Sequence, residues 1–133
     1  MIVVDTNVLA ALWLPGGQVR AAERSLRRDP EWAAPLLWRS ELRNVIATLL
    51  RRGVLDLATA LSIIDAAEEH LAGKEFAVPS AEVLRLAEGS GCAAYDCEFV
   101  ALAEELDVPL VTNDRQLLRA FPRRTQSLAS FVR

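Results

Sequence analysis

MIVVDTN, residues 1–7, decides how this chain is read: the apolar run Ile2, Val3 and Val4 ends at once in Asp5, Thr6 and Asn7. A short apolar run closed by turn-forming residues reads as a buried strand that delivers a carboxylate into a turn. The pattern returns at PLVTND, residues 109–114, where Pro109 to Thr112 leads into Asn113 and Asp114. Each strand thus sends an acid out of its carboxyl end. In open α/β sheets ligands sit beyond those ends, where the strand order reverses, so the two carboxylates converge if the strands are neighbours there.

Between these strands, apolar strand-length runs alternate with amphipathic helix-length stretches, the signature of an α/β protein with a mostly parallel sheet. The spacing predicts a helix over about Val19 to Arg28 with its arginines toward solvent, then a strand over Trp32 to Leu37. A helix over about Ser40 to Arg52 buries Leu42, Val45, Ile46, Leu49 and Leu50, and Gly53 stops it. Another runs from Asp56 to a C-terminal cap at Gly73, followed by a strand over Glu75 to Val78. Helices are expected over Ser80 to Glu88, residues 95 to 106, and Gln116 to Phe121, with an edge strand near Thr125 to Leu128. The sheet therefore has four or five strands.

The 133 residues carry 52% apolar and 25% charged residues, enough for one soluble domain over residues 1–133 with a single core. No apolar run approaches the roughly 18 residues of a membrane span, and no leader-like segment opens the chain, so a cytoplasmic location is expected. Cys92 and Cys97 match no zinc spacing or disulfide framework and read as packed thiols. At net charge −3 the chain has no global positive field with which to hold nucleic acid. Such binding would need local arginine clusters, or a metal ion in an acidic pocket.

Two further acids stand near helix starts. Glu41 falls in the first turn of its helix, sharing a stripe with Val45 and Thr48 on the margin of the buried face. Asp96 opens the helix whose Phe99 and Leu102 point inward. Taken singly, each acid has a structural reading: Asp5 and Asp96 as caps, Asp114 as a turn residue, Glu41 as a surface acid. Taken together, carboxylate pairs about 5 Å apart at an effective dielectric near 20 repel by about 3 kcal/mol. Such a group must take up protons or bind a cation, and hard oxygen donors suit Mg²⁺ or Mn²⁺. Metal-assisted phosphodiester hydrolysis is the chemistry this permits.

Four motifs, MIVVDTNVL around Asp5, RSELRNV around Glu41, YDCEFVALA around Asp96 and VTND around Asp114, resemble in order those of PIN domains, and the short layout is similar to VapC-type toxins of type II toxin–antitoxin systems. The resemblance spans nearly the whole chain. It implies a three-layer α/β/α fold and a Mg²⁺- or Mn²⁺-dependent endoribonuclease. By position, Asp5 and Asp96 are implied metal ligands, with Asp114 completing the site directly or through water. Glu41 is implied to help hold metal or position the attacking water, and Thr112 to orient the site. A homodimer and a small antitoxin are implied partners. Trp13 and Leu14 are candidates either for the antitoxin contact or for the core. Arg20, Arg24, Arg39, Arg43 and Arg115 could meet RNA phosphates or form solvated helix faces.

Rival chemistries fit less well. His70 is the only histidine, which excludes a catalytic histidine pair, and it reads as a surface helix residue. An aspartate-acceptor phosphatase needs a second aspartate where Asn7 stands, and a receiver-like domain needs a lysine at a later strand end, whereas Lys74 precedes a strand. A PIN-like domain that binds RNA or protein without catalysis, or without a toxin role, is the alternative from another class.

Overall fold

The computed structural model describes residues 1–133. Five strands, β1 (Ile2–Val4), β2 (Trp32–Pro35), β3 (Glu75–Phe76), β4 (Leu110–Val111) and β5 (Thr125–Gln126), form one parallel sheet in the order β3-β2-β1-β4-β5. The chain builds outward from β1 to β3, then crosses back to place β4 on the other side of β1. The order therefore reverses between β1 and β4, the two strands whose ends carry Asp5 and Asp114.

Eight helices cover the sheet: α1 (Thr6–Trp13), α2 (Val19–Arg28), α3 (Leu37–Arg51), α4 (Leu57–His70), α5 (Ser80–Ser90), α6 (Ala94–Leu106), α7 (Arg115–Ala120) and α8 (Leu128–Phe131). Helices α1 to α4 pack on one another with α8 against α2, while α5 pairs with α6 over β1, β2 and β4. Right-handed crossovers running in opposite directions from β1 place these two groups on opposite faces, giving three layers. Between them, 31 buried residues form one apolar cluster, with Ile2, Val3, Val4, Leu110 and Val111 at its centre. No helix is long and apolar enough to cross a membrane.

Several boundaries differ from the sequence reading, each for a local reason. Helix α1 starts directly after β1 because Asp5 caps it. Trp13 and Leu14 serve the core: Leu14 is buried and Trp13 lies partly buried against the apolar cluster. Helix α3 begins at Leu37, a turn before Ser40, which moves Glu41 into the second turn. Helix α4 ends at His70, and Gly73 instead takes a left-handed φ of 77° in the turn before β3. Helix α5 passes through Gly89 to Ser90 and stops where Gly91 turns left-handed at φ 74°. The segment after β5 coils into α8, capped by the Ser127 hydroxyl, so the last strand is only Thr125–Gln126.

His70 is not a surface residue. Its ring lies edge-on between Trp13 and Trp32, with centroids 6.4 and 5.4 Å away, and its Nε2 is buried without a partner. Burial, assisted by Lys74, holds its pKa below the ordinary imidazole value. Cys92 and Cys97 are buried free thiols, as their spacing indicated.

Candidate active site

Asp5 stands at the point where β1 becomes α1, and local bonding fixes it there. Its backbone N–H donates to the Val111 carbonyl at 3.0 Å, continuing the β1–β4 ladder, so its side chain emerges at the seam between those strands. Oδ1 accepts from the Thr6 backbone N–H at 2.7 Å, capping α1. Oδ2 accepts from the Thr112 hydroxyl at 2.7 Å and, at 3.4 Å, from the Asn7 side-chain amide. The cap reading of Asp5 is thus correct, and the carboxylate also lines a cleft at the strand ends.

Thr112, fully buried after β4, couples two of the acids. While its hydroxyl donates to Asp5, the same oxygen accepts from the Asp114 backbone N–H at 3.0 Å. Asp114 caps α7 by accepting from the Leu117 N–H at 3.0 Å. On the opposite wall, the Thr6 hydroxyl donates to Glu41 Oε1 at 2.7 Å, tying α1 to α3. Asp96, in the first turn of α6, makes no capping bond and lies half-buried in the cleft. All four acids therefore line one cleft of about 300 Å³, together with Thr6, Asn7, Asn44 and Val45.

These carboxylates have no basic partner: the ion pairs of the structure join other groups. Burial pushes the Asp5 carboxyl above its ordinary range, and the charges of Asp96 and Asp114 push it further, against the lowering effect of its hydrogen bonds. Glu41 is raised by burial and by the charges of Asp5, Asp96 and Glu98. Asp96 is raised by burial and by Asp114. An acidic cleft without internal cations, offering only oxygen donors, fits a hard divalent ion. As placed, no three of the side chains are close enough to enclose an ion; the residues fit by chemistry and charge, with Asp5 held in place and Asp96 unbonded.

The sequence pointed to the Asp5 cap and to Thr112, but not to the contacts of Asn7 and Asn113 around the cleft. Asn7 accepts from the Asn113 backbone N–H at 3.3 Å, and the Asn113 side chain accepts from Leu128 N–H at 3.2 Å, linking α8 to the cleft. Nothing in local spacing announces these contacts, which cross 106 and 15 residues of chain. Val45, expected in the core, is 40% exposed. It does share a stripe with Glu41, as the helical spacing indicated, but that stripe faces the cleft. Arg39 is not free for phosphate: it pairs with Glu75 at 2.6 Å and Glu68 at 2.9 Å. Arg20, Arg24, Arg43 and Arg115 are exposed.

A parallel sheet ordered β3-β2-β1-β4-β5, with acids gathered where β1 meets β4, is the arrangement of a PIN domain; the PIN-domain family model matches residues 2–122, and the chain belongs to this family. It is 36% identical over 126 residues to ribonuclease VapC3 of Pyrobaculum aerophilum, an alignment covering 91% of this chain and 95% of that protein. Among solved structures it is similar to PAE2754 of Pyrobaculum aerophilum, with a TM-score of 0.78 and 25% identity over 98% of this chain and 85% of that one. FitAcB of Neisseria gonorrhoeae gives a TM-score of 0.77 at 17% identity, covering 97% of this chain and 99% of that one, a likeness of fold.

Proposed function

We propose that this chain is a Mg²⁺- or Mn²⁺-dependent endoribonuclease that acts in the cytoplasm as the toxin of a type II toxin–antitoxin pair. The observation that carries this reading is the meeting of Asp5, Glu41, Asp96 and Asp114 in one cleft without a basic partner. The identity to a ribonuclease over 91% of the chain supports RNA as the substrate.

Asp5, Asp96 and Asp114 would hold the cation. When bound, such an ion supplies neutralising charge at the phosphate and acidifies water. Asp5 is the fixed point, since the bonds from Thr6 and Thr112 prevent its carboxylate from turning away. Thr112 spaces Asp5 from Asp114 through one hydroxyl. Glu41 has one oxygen held by Thr6, leaving the other to orient the attacking water and accept its proton.

The antitoxin and a second copy of the chain need exposed apolar surface, and Trp13 and Leu14 do not offer it. An apolar cleft between α3 and α4, lined by Ile46, Leu50, Leu57, Leu61 and Ile64, supports a protein partner instead. The test of the activity is cleavage of end-labelled single-stranded RNA by the purified chain. Products should appear with added Mn²⁺ or Mg²⁺, cease with excess EDTA, and return when metal is restored; EDTA-resistant cleavage would contradict the reading. Growth arrest on expression, relieved by a co-expressed small neighbouring protein, tests the toxin role.

A further inference from the structure

Almost every polar side chain that lines the acidic cleft is already engaged. The Thr6 hydroxyl is committed to Glu41, and the Asn7 amide is bonded at both ends, to Asp5 and to the Asn113 backbone. When ionised, the four acids offer acceptors and no donor. Apart from the Asp96 carboxylate, Asn44 is the exception. Its side chain is exposed in the cleft and makes no hydrogen bond within the protein, so both the amide donor and the carbonyl acceptor face the cleft unused.

Its position is set by α3. Residues 41, 44 and 45 follow one another at i, i+3 and i+4, so Asn44 and Val45 stand on the same face as Glu41 and about 4.5–6 Å farther along the helix. That distance is close to the step from a phosphate to a neighbouring nucleotide. Val45, 40% exposed beside Asn44, supplies an apolar surface for the face of an unstacked base. A base lying on Val45 would turn an edge toward the Asn44 amide.

We infer that Asn44, seated on α3 beside Val45, reads the edge of one unstacked base next to the scissile phosphate. The inference rests on the ribonuclease reading and names the residue by which that site would select. A carboxamide presents one donor and one acceptor side by side. An unstacked base answers with an adjacent acceptor and donor, such as N7 and the N6 amino group of adenine or the pair on a free Watson–Crick edge, and the way the base lies on Val45 fixes which edge is presented. Sequence-specific reading of RNA generally takes place on unstacked single-stranded bases, which an open cleft admits.

The experiment is cleavage of a randomised single-stranded RNA pool by the wild-type chain with Mn²⁺, sequenced at the cut ends and compared at equal conversion with Asn44→Ala and Asn44→Asp. The exposed helical site of Asn44 tolerates alanine, and a melting curve confirms each fold. Wild type should show one base enriched by about 10-fold at one position beside the cut, the scale of a bidentate base contact, and both variants should bring this below about 2-fold. No base preference beside the cut, or a preference that survives in both variants, would overturn the inference. Failure of the wild type to cleave the pool at all would remove the ribonuclease reading and the inference with it.

Discussion

Asp96→Asn is expected to lower RNA cleavage by on the order of 100-fold or more while raising the melting temperature. The loss is the scale seen when one preorganised electrostatic group is removed from a reacting centre. The gain in stability follows from what Asp96 lacks: no hydrogen bond and no ion pair holds its carboxylate, and burial and the Asp114 charge both oppose its ionisation. Replacing it by a neutral amide of the same shape removes that penalty without breaking a contact. A gain of about 0.5–1 kcal/mol is expected, the scale of relieving one unfavourable charge by substitution, or roughly 2–5 °C for a domain of this size.

The sign of the pH dependence gives this prediction a second arm. Asp5, Glu41 and Asp96 all have folded pKa values raised above their ordinary 3.8, 4.5 and 3.8, so the folded state holds these protons more tightly than the unfolded chain does. Their effect on stability is favourable below the ordinary values and is lost as pH rises through the raised ones. The advantage of Asp96→Asn should be full above the raised pKa and shrink as pH falls toward 3.8. Thermal melts across that range, beside single-turnover cleavage at neutral pH, check both arms. A variant that melts lower than wild type at neutral pH contradicts the repulsion, and one that cleaves normally contradicts the site.

Trp38→Ala should cost about 3–5 kcal/mol of stability. Trp38 is fully buried, and its indole N–H donates to Glu75 Oε1 at 2.7 Å. Arg39 grips the same carboxylate with Nε at 2.6 Å and Nη2 at 2.8 Å, and reaches Glu68 on α4 at 2.9 Å. The start of α3 is thereby clasped to β3 and α4, and α3 carries Glu41 and Asn44 into the cleft. Out of a total of about 5–15 kcal/mol, the loss should lower the melting temperature by roughly 10–20 °C. Urea denaturation of Trp38→Ala and Trp38→Phe measures it. Phenylalanine keeps much of the ring volume and should recover over half of the loss; a change below about 1 kcal/mol in the alanine variant would show that the clasp does not anchor α3.

Asp5 and Asp114 were legible because a parallel strand ends where its apolar run ends, and both runs end in an acid. Their convergence then needed only β1 and β4 to be neighbours, which the sheet order provides. Glu41 and Asp96 were harder to place: helical spacing put Glu41 at the margin of a buried face and Asp96 at a helix start, and the order of four motifs drew them into the same group. The reversal of Val45 shows the limit of periodicity, since a residue on the margin of an apolar stripe faces either a core or a cleft with the same spacing. His70 was misread because its neighbours Trp13 and Trp32 are distant in the chain. Arg39 was misread for the same reason, since an exposed-looking helix residue gives no local sign of a carboxylate arriving on another strand. The bonds of Thr6, Asn7 and Asn113 likewise depend on tertiary proximity, and no local pattern encodes them.

A divalent cation site at the β1/β4 seam should bind its ion in the absence of RNA. Calorimetric titration of Mn²⁺ into the metal-free wild-type chain and into Asp96→Asn, at neutral pH, measures that binding. Saturable binding to the wild type, weakened at least about 10-fold in the variant, is the expected result. No saturable binding, or equal affinity in the two chains, would contradict it.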